Sequence, residues 1–242
     1  MYKKRFYRTN TYNSDLVAFG VRHFESDLLI YAHSDLSVVS FEYLRRIHGQ
    51  VSDYCQSHPE FEKSLEPVDI ARRTPKIIRT MHKASIRAGV GPMASVAGAI
   101  AEAVGKKLLK YSREIIIENG GDIFFAVSKV RKIGIFAGIG NIYNQLIVKI
   151  YPDQSPCGIC TSSGQFGHSL SLGKTSATII ISKSSALADG YATAFGNMVN
   201  NEDDIDFALK SARKKKDIKG IIIITSLKMA AYGDLSFDVL DK

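Results

Sequence analysis

A helix of small, apolar residues that nonetheless carries an acid constrains this chain more than any other feature. The stretch Ser185-Ala-Leu-Ala-Asp189-Gly-Tyr-Ala-Thr193-Ala-Phe-Gly-Asn-Met-Val199 is apolar and small almost throughout. A helix that is apolar on nearly every side belongs in an interior. A carboxylate there is costly unless something pairs with it. The available partners are a Lys or Arg, a row of backbone N–H groups, or a metal ion. Asp189 and Thr193 stand four residues apart and therefore share one helical face. Two hard oxygens side by side suit Mg2+ better than a soft metal.

The spacing predicts a second small helix from Gly91-Pro92 to Val104. Met93, Val96, Ala97, Ile100, Ala101 and Val104 recur at helical intervals, and Pro92 suits a first turn. Gly98 costs a helix about 1 kcal/mol relative to Ala. A close approach of other backbone, or of a flat ligand, explains that cost.

The rest reads mainly as strands. Residues 4–12 alternate basic and aromatic side chains and open as a strand. Residues 17–22 and 27–32 predict a hairpin turning at 23–26. Ser34-Asp35-Leu36-Ser37 caps a helix running toward residue 57. Residues 59–74 read as an irregular connection, and Pro75 opens a short helix over 77–88. Runs at 114–118, 123–127, 133–137 and 145–151 have short Gly-, Lys- or Asn-containing links, which predicts an antiparallel meander. Residues 151–173 are rich in Gly, Ser and Thr and read as the longest irregular segment, of the kind that carries function. A buried strand over 176–182 follows, then the Asp189 helix capped by Ser184 or Ser185. An amphipathic helix over 203–214 and strands over 220–225 and 236–240 close the chain.

With 242 residues, 45% of them hydrophobic, the chain can bury a sizeable core. No apolar stretch is long enough for a membrane span. The basic N-terminus lacks a following apolar segment, so the expectation is a cytoplasmic protein without a signal peptide. Three cysteines are too few for a disulfide framework. Part of the net charge of +8 gathers in Lys3-Lys4-Arg5 and in residues 210–219. These runs are solvated faces or attract an anionic ligand. The second lacks interleaved aromatics, which argues against nucleic acid.

Three segments hold chemistry-bearing side chains. In Glu118-Asn119-Gly120-Gly121-Asp122, paired glycines expose N–H groups to a ligand, and the flanking acids are placed to face one site. A hairpin turn explains Asn-Gly-Gly equally well. Thr161-Ser162-Ser163-Gly164 and His168 combine hydroxyls, glycine and an imidazole, suited to phosphate or ribose, with His168 as a general base or a phosphate contact. Cys157-Gly-Ile-Cys160 has the spacing of a redox or metal pair. Without a second pair, ordinary core thiols, sulfur chemistry and metal ligation all stay open. Gly173-Lys174-Thr175 is not a phosphate loop, because five residues rather than four separate it from Gly167. Gly138-Ile-Gly140 lacks the third glycine of a dinucleotide turn.

Read together, Glu118 to Asp122, Thr161 to Gly164 with His168, and Ala188-Asp189-Gly-Tyr-Ala-Thr193 resemble the ApbE-like flavin transferase superfamily. The chain is most similar to the small ApbE-like branch of archaea and anaerobic bacteria. There the Gly-Pro-Met-Ala helix, the Gly-Gly-Asp turn and a Ser-Ser-Gly…Gly-His-Ser-Leu-Ser segment occur as one set. The resemblance runs through roughly residues 15–200. It implies an α+β fold of antiparallel sheets with packed helices in a duplicated T-fold-like architecture. That is one domain over 1–242, or two intimately packed subdomains. It implies Mg2+-dependent cleavage of FAD, with FMN transferred to a Thr of an acceptor protein or released by hydrolysis. Asp189 and Thr193 fall on the family's metal positions, and His168 and Asp189 on its catalytic ones. Glu118, Asn119, Gly120, Gly121, Asp122, Thr161, Ser162, Ser163 and Gly164 fall on its flavin nucleotide pocket. The alternative is a non-catalytic flavin- or nucleotide-binding accessory protein in sulfur assimilation toward homocysteine. T-fold-like sheets often associate, so the resemblance allows a homo-oligomer without fixing the oligomeric state. The chain departs from the transferase pattern at two points. Gly91-Pro-Met-Ala-Ser95 has no Lys, and His168 precedes Ser-Leu-Ser-Leu-Gly rather than Pro and Thr-Gly.

Overall fold

Isoleucine-rich runs build the sheets. The computed structural model describes residues 15–136, 145–163 and 173–239. The described strands are β1 (Val17–His23), β2 (Ser26–Ala32), β3 (Ile115–Asn119), β4 (Asp122–Ala126), β5 (Arg131–Phe136), β6 (Gln145–Ile150), β7 (Cys157–Ser162), β8 (Ala177–Ser182), β9 (Ile218–Ile224), β10 (Met229–Gly233) and β11 (Ser236–Val239). Eight of them form one antiparallel sheet in the order β1-β2-β3-β4-β7-β8-β9-β10, and a smaller sheet has the order β11-β6-β5.

The helices are α1 (Ser37–Ser57), α2 (Pro59–Lys63), α3 (Lys76–Ala88), α4 (Val96–Leu108), α5 (Ser185–Asn197) and α6 (Asp204–Arg213). They cover one face of the large sheet. The small sheet covers the other, giving three layers. Strand alternation sorts the core accordingly. Ile180, Ile221 and Ile223 pack under α5 and α6, while Ile179, Ile181, Ile222 and Ile224 pack against the small sheet. A strand covered on both faces is buried throughout, as β8 is at every position. Each half of the large sheet follows the same chain order of hairpin, helices, hairpin. This duplication exists in topology without a visible sequence repeat.

The structure departs from the expected layout in several places. The meander is broken, because β4 pairs with β7 and the β5–β6 hairpin belongs to the other sheet. Buried Arg131 anchors that crossing. Its Nε donates to Glu114 at 2.8 Å and its Nη2 to Asp15 at 3.1 Å. Residues 59–74 contain the short helix α2, which Pro59 opens. Residues 151–173 contain β7, a central strand whose Gly, Thr and Ser residues disguise it. β10 was not foreseen. Pro92 begins a 3-10 turn over Pro92–Ser95, and α4 starts only after it. The α1 start is held by Asp35, which accepts the Ser37 N–H at 2.8 Å. Among the described residues no single helix is long and apolar enough to cross a membrane.

Candidate functional site

Helices α4 and α5 cross where both are smallest. A Cβ on Gly98 would lie 2.4 Å from the Ser185 carbonyl oxygen and 2.8 Å from the Asp189 Cβ. Backbone therefore approaches as closely as the glycine implied. The buried acid's partner is also backbone. Asp189 Oδ2 accepts the Gly98 N–H at 2.9 Å, and the Ala97 N–H also donates to this carboxylate. These donors of α4's first turn have no partner within their own helix.

The arrangement is reciprocal. Glu102 of α4 accepts the Ser184 hydroxyl at 2.6 Å and the Ala186 N–H at 3.3 Å, at the start of α5. Each helix thus places a carboxylate on the other's positive end. Glu102 escaped the sequence reading. Its signal is an acid within an Ala-Val-Gly helix, the same anomaly that exposed Asp189.

The β3–β4 turn lies beneath this crossing. Asn119 pairs with Asp122, and Gly120 and Gly121 between them have φ of 71° and 104°. Two positive φ values are what a type I′ hairpin turn demands. The turn is tied to α4, since Asn119 Nδ2 donates to the Ala97 carbonyl at 3.1 Å. Glu118 Oε1 accepts the Gly121 N–H at 2.8 Å. The two flanking acids do not face one site. Glu118 stands opposite Ile123 on the small-sheet face, and Asp122 opposite Asn119 on the helix face. The same alternation on β7 turns Cys160 and Ser162 toward α5, and Thr161 away.

It also separates the cysteines. Cys157 lies between the sheets and Cys160 under α5. The two are no redox or metal pair, because a separation of three along a strand reverses the face. All three cysteines are free and buried. Burial pushes the Cys55 and Cys157 thiols up to about 11 and Cys160 well above the usual range. A thiol reagent at pH 8 is accordingly expected to modify almost none of them in the native protein and all three in denaturant. One rapidly modified native thiol would contradict this packing.

Asp122 is only 7% exposed, and its Oδ1 has no hydrogen-bond partner among the described residues. The carboxylate does receive the Cys160 thiol and the Thr161 N–H. Burial pushes Asp122 well above the usual carboxylate range, and the negative charge of Asp189 pushes it further. Asp189 is pushed up to about 7 by burial, against the pull of the Gly98 and Ala97 N–H groups. Among the described residues, the charges acting most on Asp122 are the negative ones of Asp189 and Glu118. Ser162 Oγ likewise lacks a partner. Thr193 is buried one turn beyond Asp189.

Among the described residues no three His, Cys, Asp or Glu side chains converge into a metal cage. One or two carboxylates with hydroxyls, waters and ligand phosphates is nonetheless the donor set that Mg2+ takes. The orphaned Asp122 oxygen fits such an ion. Ser163 follows β7, while Gly164 and His168 lie outside the described residues.

A raised acid pKa has a stability consequence. Between the ordinary value of 3.8 and about 7, the folded chain holds a proton on Asp189 that the unfolded chain has released. The associated stability is full below that window and is lost as pH rises through about 7. In metal-free urea unfolding from pH 5 to 8, wild type is expected to lose more stability than Asp189→Asn. Parallel curves would show that Asp189 does not titrate this way.

The sequence matches, over residues 9–229, a family described as "AbpE bacteria". The chain belongs to this ApbE-like family. A UPF0280 protein of Methanocaldococcus jannaschii is 39% identical over 191 residues, 77% of this chain and 78% of the relative. A UPF0280 protein of Methanococcus aeolicus is 36% identical over 184 residues, 74% of each. Among solved structures, a flavin transferase ApbE from Vibrio cholerae superposes with a TM-score of 0.60 at 14% identity, covering 90% of this chain and 96% of that one. The apo flavinyl transferase ApbE of Pseudomonas stutzeri gives 0.60 at 13%, covering 90% and 94%. At these identities the likeness is one of fold, and the ApbE-like α+β architecture expected from the motifs is the one observed.

Proposed function

We propose that this ApbE-like protein binds a flavin nucleotide and cleaves FAD with the help of Mg2+, passing FMN to a Thr of an acceptor protein or to water. The observation that carries the reading is the acid pair of buried Asp122 and half-buried Asp189, on which no cation acts among the described residues. An acid pair of this kind calls for a proton or a positively charged ligand.

In this reading Asp189 and Thr193 hold Mg2+. When bound, the ion neutralises the pyrophosphate and polarises the phosphorus. The remaining work belongs to the chain. The Gly98 N–H fixes the Asp189 carboxylate, and Asn119 fixes the Gly120-Gly121 turn against α4. Ser162, Ser163 and Gly164 contact the nucleotide, and His168 takes the proton from the attacking hydroxyl. Glu118 and Thr161 contribute through the shape of the turn and of the β7 end, since their side chains point to the other face.

Binding without turnover is the second reading, with the protein as an accessory to a partner, sulfur assimilation included. It is favoured by the turn Gly91-Pro92-Met93-Ala94-Ser95, which supplies no Lys and is largely buried. Incubating the protein with FAD, with and without Mg2+, separates the two. FMN released only with Mg2+ supports the enzyme. FAD bound but intact supports the accessory role.

A further inference from the structure

We propose that Asp122 is the second carboxylate of the metal position, so that a divalent cation bridges β4 and α5 instead of resting on α5 alone. This deepens, and rests on, the reading that the α5 acid holds such a cation. Asp122 Oδ1 is buried and accepts no hydrogen bond among the described residues, although an ionised carboxylate has room for several donors.

Position supplies the next step. Asp122 and Cys160 point to the helix face of adjacent strands. The Cys160 thiol contacts Asp122 on one side and approaches the Ser185 carbonyl oxygen at 3.2 Å on the other. Ser185 is one turn before Asp189, so Cys160 spans the gap between strand acid and helix acid. Both acids also act on the Cys160 thiol. Ser162, two residues along β7 on the same face, contributes a second orphaned oxygen.

Charge completes the case. Glu102, Glu114 and Asp15 each have a cationic partner, whereas among the described residues the charges that act most on Asp122 are those of Asp189 and Glu118. The ligand set is then Asp122, Asp189 and Thr193, with Ser162 on the same face of β7 as Cys160. Water and nucleotide phosphate fill the remaining positions of the octahedron that Mg2+ requires.

The test uses Mn2+ as a spectroscopic stand-in, without nucleotide or turnover. Mn2+ binding is followed by electron paramagnetic resonance, and thermal unfolding is measured at pH 8 with and without the ion. Wild type is expected to bind Mn2+ and to gain Tm. Asp122→Asn is expected to fold as wild type does without metal, since the amide matches the carboxylate in size. It is also expected to bind Mn2+ at least about tenfold more weakly and to lose most of the metal-dependent gain. Asp122→Ala provides the same reading should the Asn variant fold poorly. If Asp122→Asn binds Mn2+ as wild type does while Asp189→Asn does not, the bridging role is overturned and the α5 site stands. If wild type itself binds no Mn2+, both are overturned.

Discussion

Asp189→Ala is expected to lower Mg2+-dependent FAD turnover by about a hundredfold or more. A Lewis-acidic metal contributes several kcal/mol to such a step, and about 1.4 kcal/mol is worth a factor of ten. The Ala variant also strips the acceptor from the Gly98 and Ala97 N–H groups at the start of α4. Such a loss costs about 0.5–2 kcal/mol at a helix N-terminus. Asp189→Asn separates the two roles. Its amide oxygen still accepts the Gly98 N–H, so folding is retained while the charge that holds a cation is gone. FMN release and urea unfolding measured on both variants decide the matter. Wild-type turnover in Asp189→Ala would place the chemistry elsewhere.

Gly98→Ala is the second substitution with a large expected effect, and its sign runs against helix propensity. Alanine favours a helix by about 1 kcal/mol over glycine. Here, however, the added Cβ would meet the Ser185 carbonyl oxygen at 2.4 Å and the Asp189 Cβ at 2.8 Å. Neither atom is the free end of a flexible side chain, so α4 must move off α5. Overpacking of this kind costs about 1–3 kcal/mol, and the shift also lengthens the bond that orients Asp189. The control is Gly49→Ala in α1, where an added Cβ meets nothing within 4 Å. There propensity alone acts, and a gain of up to about 1 kcal/mol is expected. Urea unfolding of both should move the midpoint in opposite directions. Equal stabilisation would mean that the two helices do not cross as closely as described.

What could be read from the chain beforehand follows from the range of the forces involved. The anomaly of an acid in a small helix was local, and so was the glycine that accommodates it. Both lie at the α4–α5 crossing, though neither named the other helix as its neighbour, and a row of N–H groups was among the partners anticipated. The strand runs were also local signals, and nine of the eleven described strands have counterparts in them; β7 lay inside a segment read as loop, and β10 was not foreseen. Pairing is not local. Nothing in the short link after β4 announces that β5 leaves for another sheet while β7 takes its place. Facing is decided by pairing as well. Glu118 and Asp122 look equivalent beside Gly120-Gly121, and only the register Asn119–Asp122 sends them to opposite faces. Cys157 and Cys160 show the same effect within one strand. Glu102 required knowing that α5 begins beside it, 82 residues later in the chain.

The central claim is that the α4–α5 crossing, with the β3–β4 turn beneath it, forms a metal-dependent flavin nucleotide site. The most direct test is the affinity for FAD by isothermal titration, with Mg2+ and with chelator, in wild type and Asp189→Asn. FAD binding that tightens with Mg2+ in wild type, and is insensitive to Mg2+ in the variant, is the predicted result. No FAD binding under either condition, or binding indifferent to both Mg2+ and Asp189, would contradict it.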